Sequence, residues 1–120
     1  MFSRDNLPKK CGAKKIYIVN LNKKHESGSH WVAVISFDCC YYFDSFGIYS
    51  PPEIERFMQT SGKKIKWSGY RIQELGSIMC SYFCIYMINK MCNGREFYDA
   101  LLEFDPVNYN KNDKTVMKQL

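Results

Sequence analysis

His30 and Cys80, fifty positions apart in a chain of 120, are the residues whose types and surroundings most suggest chemistry. His30 opens the run His30-Trp31-Val32-Ala33-Val34, and Cys80 lies in Gln73-Glu74-Leu75-Gly76-Ser77-Ile78-Met79-Cys80-Ser81-Tyr82-Phe83-Cys84. Between them stands Phe43-Asp44-Ser45-Phe46-Gly47. A thiol becomes an effective nucleophile when its thiolate is favoured by a helix N-terminus and a neighbouring imidazole. The imidazole in turn needs an acid to orient it, and the tetrahedral intermediate needs donors for its oxyanion. Cys80, His30, Asp44 and Gln73 can fill those four roles, and the chemistry they would perform together is acyl transfer through a thioester.

Each residue has a plainer reading when taken alone. A cysteine on an apolar helix is ordinarily a small core hydrophobe, and this is the reading for Cys84, one turn deeper than Cys80. Cys80 differs because it falls in the first turn, where unpaired backbone N–H groups and the positive end of the macrodipole favour a thiolate. His25, in a lysine-rich loop, is incidental. Trp31 fits a core role and a role covering His30 equally well. An isolated Gln is usually a surface residue, but Gln73, seven positions before Cys80, can donate to an oxyanion together with the Cys80 backbone N–H.

The elements that must position these residues can be read from pattern. Ile16 to Val19 is a short β-branched strand, and Trp31 to Phe37 followed by Cys40 to Phe43 forms a hairpin. Register within that hairpin matters, because side chains alternate. A two-residue turn at Asp38-Cys39 would send His30 and Asp44 to opposite faces, whereas a three-residue loop over Ser36 to Asp38 would set them directly opposite. An odd loop or a β-bulge is therefore expected. Pro51-Pro52-Glu53 starts a helix with Ile54, Phe57 and Met58 on one face, ending at Ser61-Gly62. Ile65 to Trp67 and Tyr70 to Ile72 are short strand candidates. From Cys80 to Met91, Phe83, Cys84, Met87, Ile88 and Met91 recur at helical spacing, with Asn93-Gly94 as the stop, so this helix should be buried and central. Glu96 to Phe104 and Asn112 to Leu120 read as two further helices, the second capped by Asn112.

Composition bounds the rest. With 46% hydrophobic and 16% aromatic residues, the chain can build one compact core and is too short for two ordinary domains. The formal charge of +5 comes with lysines scattered as pairs, which reads as solvated loops and strand ends, with a nucleic-acid or acidic-partner surface as the alternative. No run approaches the ~18 apolar residues of a membrane span, and Met1-Phe2-Ser3-Arg4-Asp5 does not open a signal peptide. A soluble, monomeric, intracellular protein of the cytoplasm or nucleus is expected. Of six cysteines, Cys39 and Cys40 are adjacent and should face opposite sides of a strand, and Cys80 and Cys84 are one helical turn apart. Reduced thiols fit better than a disulfide framework. No C-x-x-C pair or zinc-like cluster occurs, so neither a metal nor another cofactor is expected.

Gly28-Ser29-His30-Trp31-Val32-Ala33-Val34, Tyr42-Phe43-Asp44-Ser45-Phe46-Gly47 and the segment from Gln73 through Cys80 to Tyr86 together resemble the adenovirus-type cysteine proteases, the adenain family. The versions carried by Polinton/Maverick elements and related DNA viruses are the most similar. Leu7-Pro8, Ile18-Val19-Asn20 and Asn112-Asp113 also resemble family positions, so the likeness runs over most of the chain. It implies a single cysteine protease domain over residues 1–120, with an α+β papain-like fold whose central helix packs on a mainly antiparallel sheet. It implies a thiol endopeptidase that matures viral or transposon-encoded precursors, commonly near glycine, in the virion if the source is viral. His30 would be the base, Asp44 its orienting acid, Cys80 the nucleophile and Gln73 an oxyanion donor. DNA and a viral peptide activate adenoviral members and are partners to test. Two departures stand out. Ser81 replaces the glycine that usually follows the nucleophile, and the family has additional sequence before Phe2-Ser3, which leaves a truncated start open. Two other readings remain: a peptidase of SUMO or other ubiquitin-like proteins, and a non-catalytic remnant that binds a peptide in the old cleft.

Overall fold

In the computed structural model, which describes residues 2–22, 30–74 and 79–118, alternation along the central hairpin decides the architecture. The strands are β1 (Phe2–Ser3), β2 (Lys15–Asn20), β3 (Trp31–Ser36), β4 (Cys40–Phe43) and β5 (Ile65–Trp67), in that order across one sheet. The longer ladders, β2 with β3 and β3 with β4, are antiparallel, and the short edge strands β1 and β5 join in parallel. Ala33, Ile35, Tyr41 and Phe43 face one side of the sheet, and Val32, Val34, Cys40 and Tyr42 the other. Both faces are covered, which is why β3 reads as a continuous apolar run rather than an alternating one.

The helices divide between these faces. α1 (Pro52–Gln59) buries Ile54, Phe57 and Met58 against Val32, Val34 and Tyr42. It begins with Pro52 at the first helical position, where the missing N–H costs nothing. α2 (Cys80–Cys92) packs on β3 from the opposite face through Phe83, Cys84, Met87 and Met91. α3 (Phe97–Leu101) and α4 (Tyr109–Lys118) close over α2 and add Phe97, Leu101 and Val116 to the same core. Each fully buried side chain of the Leu or Phe class contributes about 1.5–3 kcal/mol to holding α2 in place. Cys39 packs towards the α2 side and Cys40 towards the α1 side, and all six cysteines are free thiols.

Several expectations need correction. The hairpin loop is odd, as the register argument required, but it spans Phe37 to Cys39: Ser36 pairs with Cys40 and Ala33 with Phe43. Continued by one residue, that register sets Asp44 opposite Val32, two positions from His30 rather than directly across from it. The shift arises because Phe37 N–H bonds the Cys39 carbonyl and closes the loop one residue later. Tyr70 to Ile72 forms no strand: Ile72 and Gln73 both donate their N–H groups to the Ser45 carbonyl, a loop-to-loop clasp. The third helix is shorter than Glu96 to Phe104, because Glu96 stays outside as its N-cap, accepting from Tyr98 N–H, and the chain turns after Leu101. The last helix begins at Tyr109, with Asn108 Oδ1 accepting Lys111 N–H. Asn112 is not its cap. It is buried and acts as a tether, donating to the Ile72 and Asp105 carbonyls and accepting Asp105 N–H. β1 was not anticipated from sequence, since two residues carry no readable period.

Candidate active site

His30 directly precedes β3 and Asp44 directly follows β4, so the hairpin delivers both to one end of the sheet. His30 Nε2 lies 2.7 Å from Asp44 Oδ1, and Asp44 is 1% exposed. The same carboxylate oxygen accepts Phe46 N–H at 2.8 Å, and Gly47 N–H closes the turn on the Asp44 carbonyl at 2.8 Å. Ser68 pins the Asp44 backbone, its hydroxyl accepting from Asp44 N–H and donating to Asp44 C=O. With Nε2 committed to the carboxylate, the hydrogen bond between His30 and Cys80 falls to Nδ1.

Cys80 is the first residue of α2, and Met79 at the N-cap brings no side-chain acceptor to that end. Its sulfur accepts the Trp31 backbone N–H at 3.3 Å, and the Ser81 N–H also favours the thiolate. Burial alone would raise the Cys80 pKa. The His30 hydrogen bond, the Trp31 N–H, the imidazolium charge and the Ser81 N–H outweigh it, and the value falls below that of an ordinary thiol. His30 shows the converse. Burial would lower its pKa, but the hydrogen bonds to Asp44 and Cys80 and the charges on both raise it to about 9. Both shifts favour a thiolate facing an imidazolium over a neutral pair.

Gln73 is fully buried beneath the Asp44 turn. Its backbone N–H donates to the Ser45 carbonyl, and the Ser45 hydroxyl donates to its side-chain oxygen. With the carbonyl so engaged, the amide nitrogen is the end of the side chain suited to donate elsewhere. Leu75 to Ile78, which lead from this region to α2, lie outside the described residues, as do His25, Gly28 and Ser29. The structure thus brings His30, Asp44 and Cys80 into one hydrogen-bonded group and anchors Gln73 to the loop that carries Asp44.

Three contributions were not read from sequence. Phe46 stacks on His30 with ring centroids 4.4 Å apart and planes 18° apart, the covering role weighed for Trp31. Trp31 is half-buried against the core, and its backbone serves two sulfurs, the N–H on Cys80 and the carbonyl accepting the Cys84 thiol at 3.4 Å. Ser45 orients Gln73. The signal available for the turn was Asp-Ser-Phe-Gly, an Asp whose carboxylate can bond the backbone two residues on, followed by a Gly. Among the described residues, no cluster of three or more His, Cys, Asp or Glu side chains is placed to hold a metal ion. Among the described residues, grooves of about 390 and 420 Å³ lie away from this cluster, one beside Arg4 and Arg56 and one beside Phe37 and Lys63.

No helix among the described residues is long and apolar enough to cross a membrane. No protein-family model and no curated protein matches the chain. Among solved structures, the chain is similar to crystal structures of ASFV pS273R protease, in selenomethionine and unlabelled forms, each with a TM-score of 0.58 and 20% identity over 72% of this chain. The match takes in 37% and 36% of those chains, so this chain spans little more than a third of the proteins it resembles. The likeness is one of fold: a mixed α+β architecture, helices packed on a five-stranded sheet, shared with those protease structures.

Proposed function

We propose that the protein is a cysteine endopeptidase, adenain-like, that cleaves viral or transposon-encoded precursor proteins near glycine. The single observation that carries this reading is the group formed by Cys80 at the start of α2, His30 between thiol and carboxylate, and Asp44 at 2.7 Å from His30 Nε2. The substrate is a polypeptide, and the resemblance of the His30, Asp44 and Cys80 segments to adenain supplies its class.

In this reading the Cys80 thiolate attacks the scissile carbonyl, and the electron pair moves onto the oxygen. The Cys80 backbone N–H and the Gln73 amide donate to that oxyanion, each such donor contributing about 3 kcal/mol to the transition state. The imidazolium of His30 gives its proton to the leaving amine as the C–N bond breaks, leaving a thioester on Cys80. His30, now neutral, takes a proton from water, the hydroxide attacks the thioester, the C–S bond breaks to return the Cys80 thiolate beside the His30 imidazolium, and the acid product leaves. Asp44 makes no bond to substrate. It holds the ring with Nδ1 towards sulfur and stabilises the cation.

The complete Cys-His-Asp group supports this reading over that of a catalytically dead remnant. By the same resemblance, DNA and a short activating peptide are proposed as modulators; a monomer is proposed as the working form. The test is hydrolysis of fluorogenic peptides with glycine flanking the scissile bond, by the wild-type chain and by Cys80→Ala, with and without DNA. Cleavage by the wild type alone is expected. Processing only of ubiquitin-like proteins at a C-terminal diglycine would move the assignment to that peptidase class, and a wild type inactive on every substrate would favour the remnant.

A further inference from the structure

The turn Asp44–Gly47 is held on all sides. Gly47 N–H bonds the Asp44 carbonyl, and the Ser45 carbonyl receives Ile72 N–H at 2.9 Å and Gln73 N–H at 3.1 Å. Gly47 has φ +72°, and a Cβ there would lie 2.3 Å from the Tyr70 carbonyl carbon, so the turn abuts the Tyr70-Arg71 backbone and accepts only glycine. A side chain rooted in this turn has little freedom to move away. The one rooted at Phe46 is half-buried and lies over the imidazole, nearly parallel to it, at 4.4 Å.

We infer that Phe46 is a positioning residue for His30, one that both fixes the plane of the ring and favours its protonated form. Two contacts from one residue converge on the same pair. The Phe46 ring presents its electron-rich face to the imidazole, an arrangement that stabilises a cation over a neutral ring. Its backbone N–H holds Asp44 Oδ1, the oxygen that bonds His30 Nε2, and so sets the in-plane partner of the ring it covers. The stack also blocks rotation of the imidazole about its Cβ–Cγ bond, which would turn ring carbons in place of nitrogens towards sulfur and carboxylate. The bland alternative, an aromatic that merely shields the ring from water, predicts the opposite sign, since uncovering an imidazolium favours the cation.

Among the described residues, the charged groups facing His30 are Asp44 from the end of β4 and Cys80 from α2. Cys84 on α2 and Tyr42 on β4 lie within the field of Asp44. Both have pKa values raised by burial and by nearby negative charge, so both are neutral through the range in which His30 titrates. A change in His30 titration on altering Phe46 therefore reports on the stack itself. The role rests on the proposed thiol-protease reading, but its test does not require turnover.

The experiment is a nuclear magnetic resonance titration of the His30 ring nitrogens, with thiolate absorbance read in parallel, on the wild type, Phe46→Leu, Phe46→Trp and a chain whose Phe46 carries a pentafluorinated ring. The fluorinated ring keeps the shape and reverses the charge of its face, so it remains informative if Phe46→Leu fails to fold. We expect the His30 pKa to fall by about 0.5–1 unit in the leucine and fluorinated forms and to be retained in the tryptophan form. If the chain turns over peptide, kcat in the leucine form should drop about 10-fold with KM little changed. An unchanged His30 titration in the fluorinated form overturns the inference, whatever happens to stability. A wild type that titrates as expected yet cleaves nothing overturns the functional reading and leaves this one standing.

Discussion

Cys80 and Cys84 lie one turn apart on the same helix, both buried, both served by the Trp31 backbone, and they have opposite acid–base characters. Trp31 offers Cys80 an N–H donor, which stabilises a thiolate, and offers Cys84 a carbonyl acceptor, which keeps the proton on sulfur. Cys80 also has the open first turn of α2 and the imidazolium, whereas Cys84 is fully enclosed and its pKa is driven well above the ordinary value by burial and by the charges on Cys80 and Asp44. Cys40, inside the other core, is pushed up to about 12 by burial and by Cys11 beside it. Burial alone therefore makes a thiol inert. Donors aimed at the sulfur lower the pKa of one of these buried thiols, the one proposed as nucleophile.

The largest effects come from removing the groups that set Cys80 apart. Cys80→Ala and His30→Ala should each reduce peptide cleavage by about 10⁴-fold or more, since nucleophile and base act as a unit. Steady-state rates on a glycine-containing fluorogenic peptide check this, and near wild-type cleavage by either variant would remove the distinction between the two cysteines.

Asp44→Asn comes next, because the acid orients the base without bonding to substrate, and a weak residual rate should remain. The variant should also change the pH profile. In the wild type the ion pair is lost on the alkaline side as pH rises through the His30 value of about 9, and on the acid side as pH falls through the lowered Cys80 value. Asp44 raises the His30 pKa by hydrogen bond and by charge, so in the asparagine form the alkaline limb should move to lower pH. An unmoved limb would mean that the carboxylate does not control the imidazolium.

Cys84→Ala sharpens the comparison from the inert side. Loss of a buried sulfur and of its bond to the Trp31 carbonyl should cost about 1 kcal/mol of stability, measured by denaturant unfolding, with kcat/KM on the same peptide retained. A loss of cleavage comparable to that of Cys80→Ala would place the reactive sulfur at the wrong turn.

The smallest expected effect is at Ser81, whose backbone N–H helps the thiolate while its side chain occupies a position where glycine would allow closer backbone approach. Ser81→Gly should raise single-turnover acylation a few-fold with little change in stability, as helix N-terminal positions tolerate both residues. Equal or slower acylation would mark Ser81 as neutral or adapted.

What could be read in advance follows the range of the interactions involved. The hairpin, the amphipathic face of α1 and the apolar spacing of α2 are local patterns, and Cys80 at a helix start was legible for the same reason. The parity of the hairpin loop was legible too, because His30 and Asp44 could meet only across an odd one. Its exact position was not, since it depends on which carbonyl Phe37 N–H finds. Asn112 misled because a good capping residue is also a good buried tether, and its partner Ile72 lies forty residues away. Ser45 on Gln73 and Phe46 on His30 are likewise contacts made only after the chain has folded, and no short-range rule distinguishes them from ordinary turn residues.

The central claim, that one buried thiol is activated by its setting while its neighbour on the same helix is not, is tested most directly by alkylating the native protein. Brief treatment with a small cysteine-directed electrophile at mildly acidic pH, followed by mass-spectrometric mapping, ranks the six thiols by thiolate character and access. The account predicts that Cys80 is labelled first, ahead of the exposed Cys92, and that Cys84 is labelled only on unfolding. Label appearing first on Cys92, Cys39 or Cys84, with Cys80 unmodified in the folded protein, would contradict it.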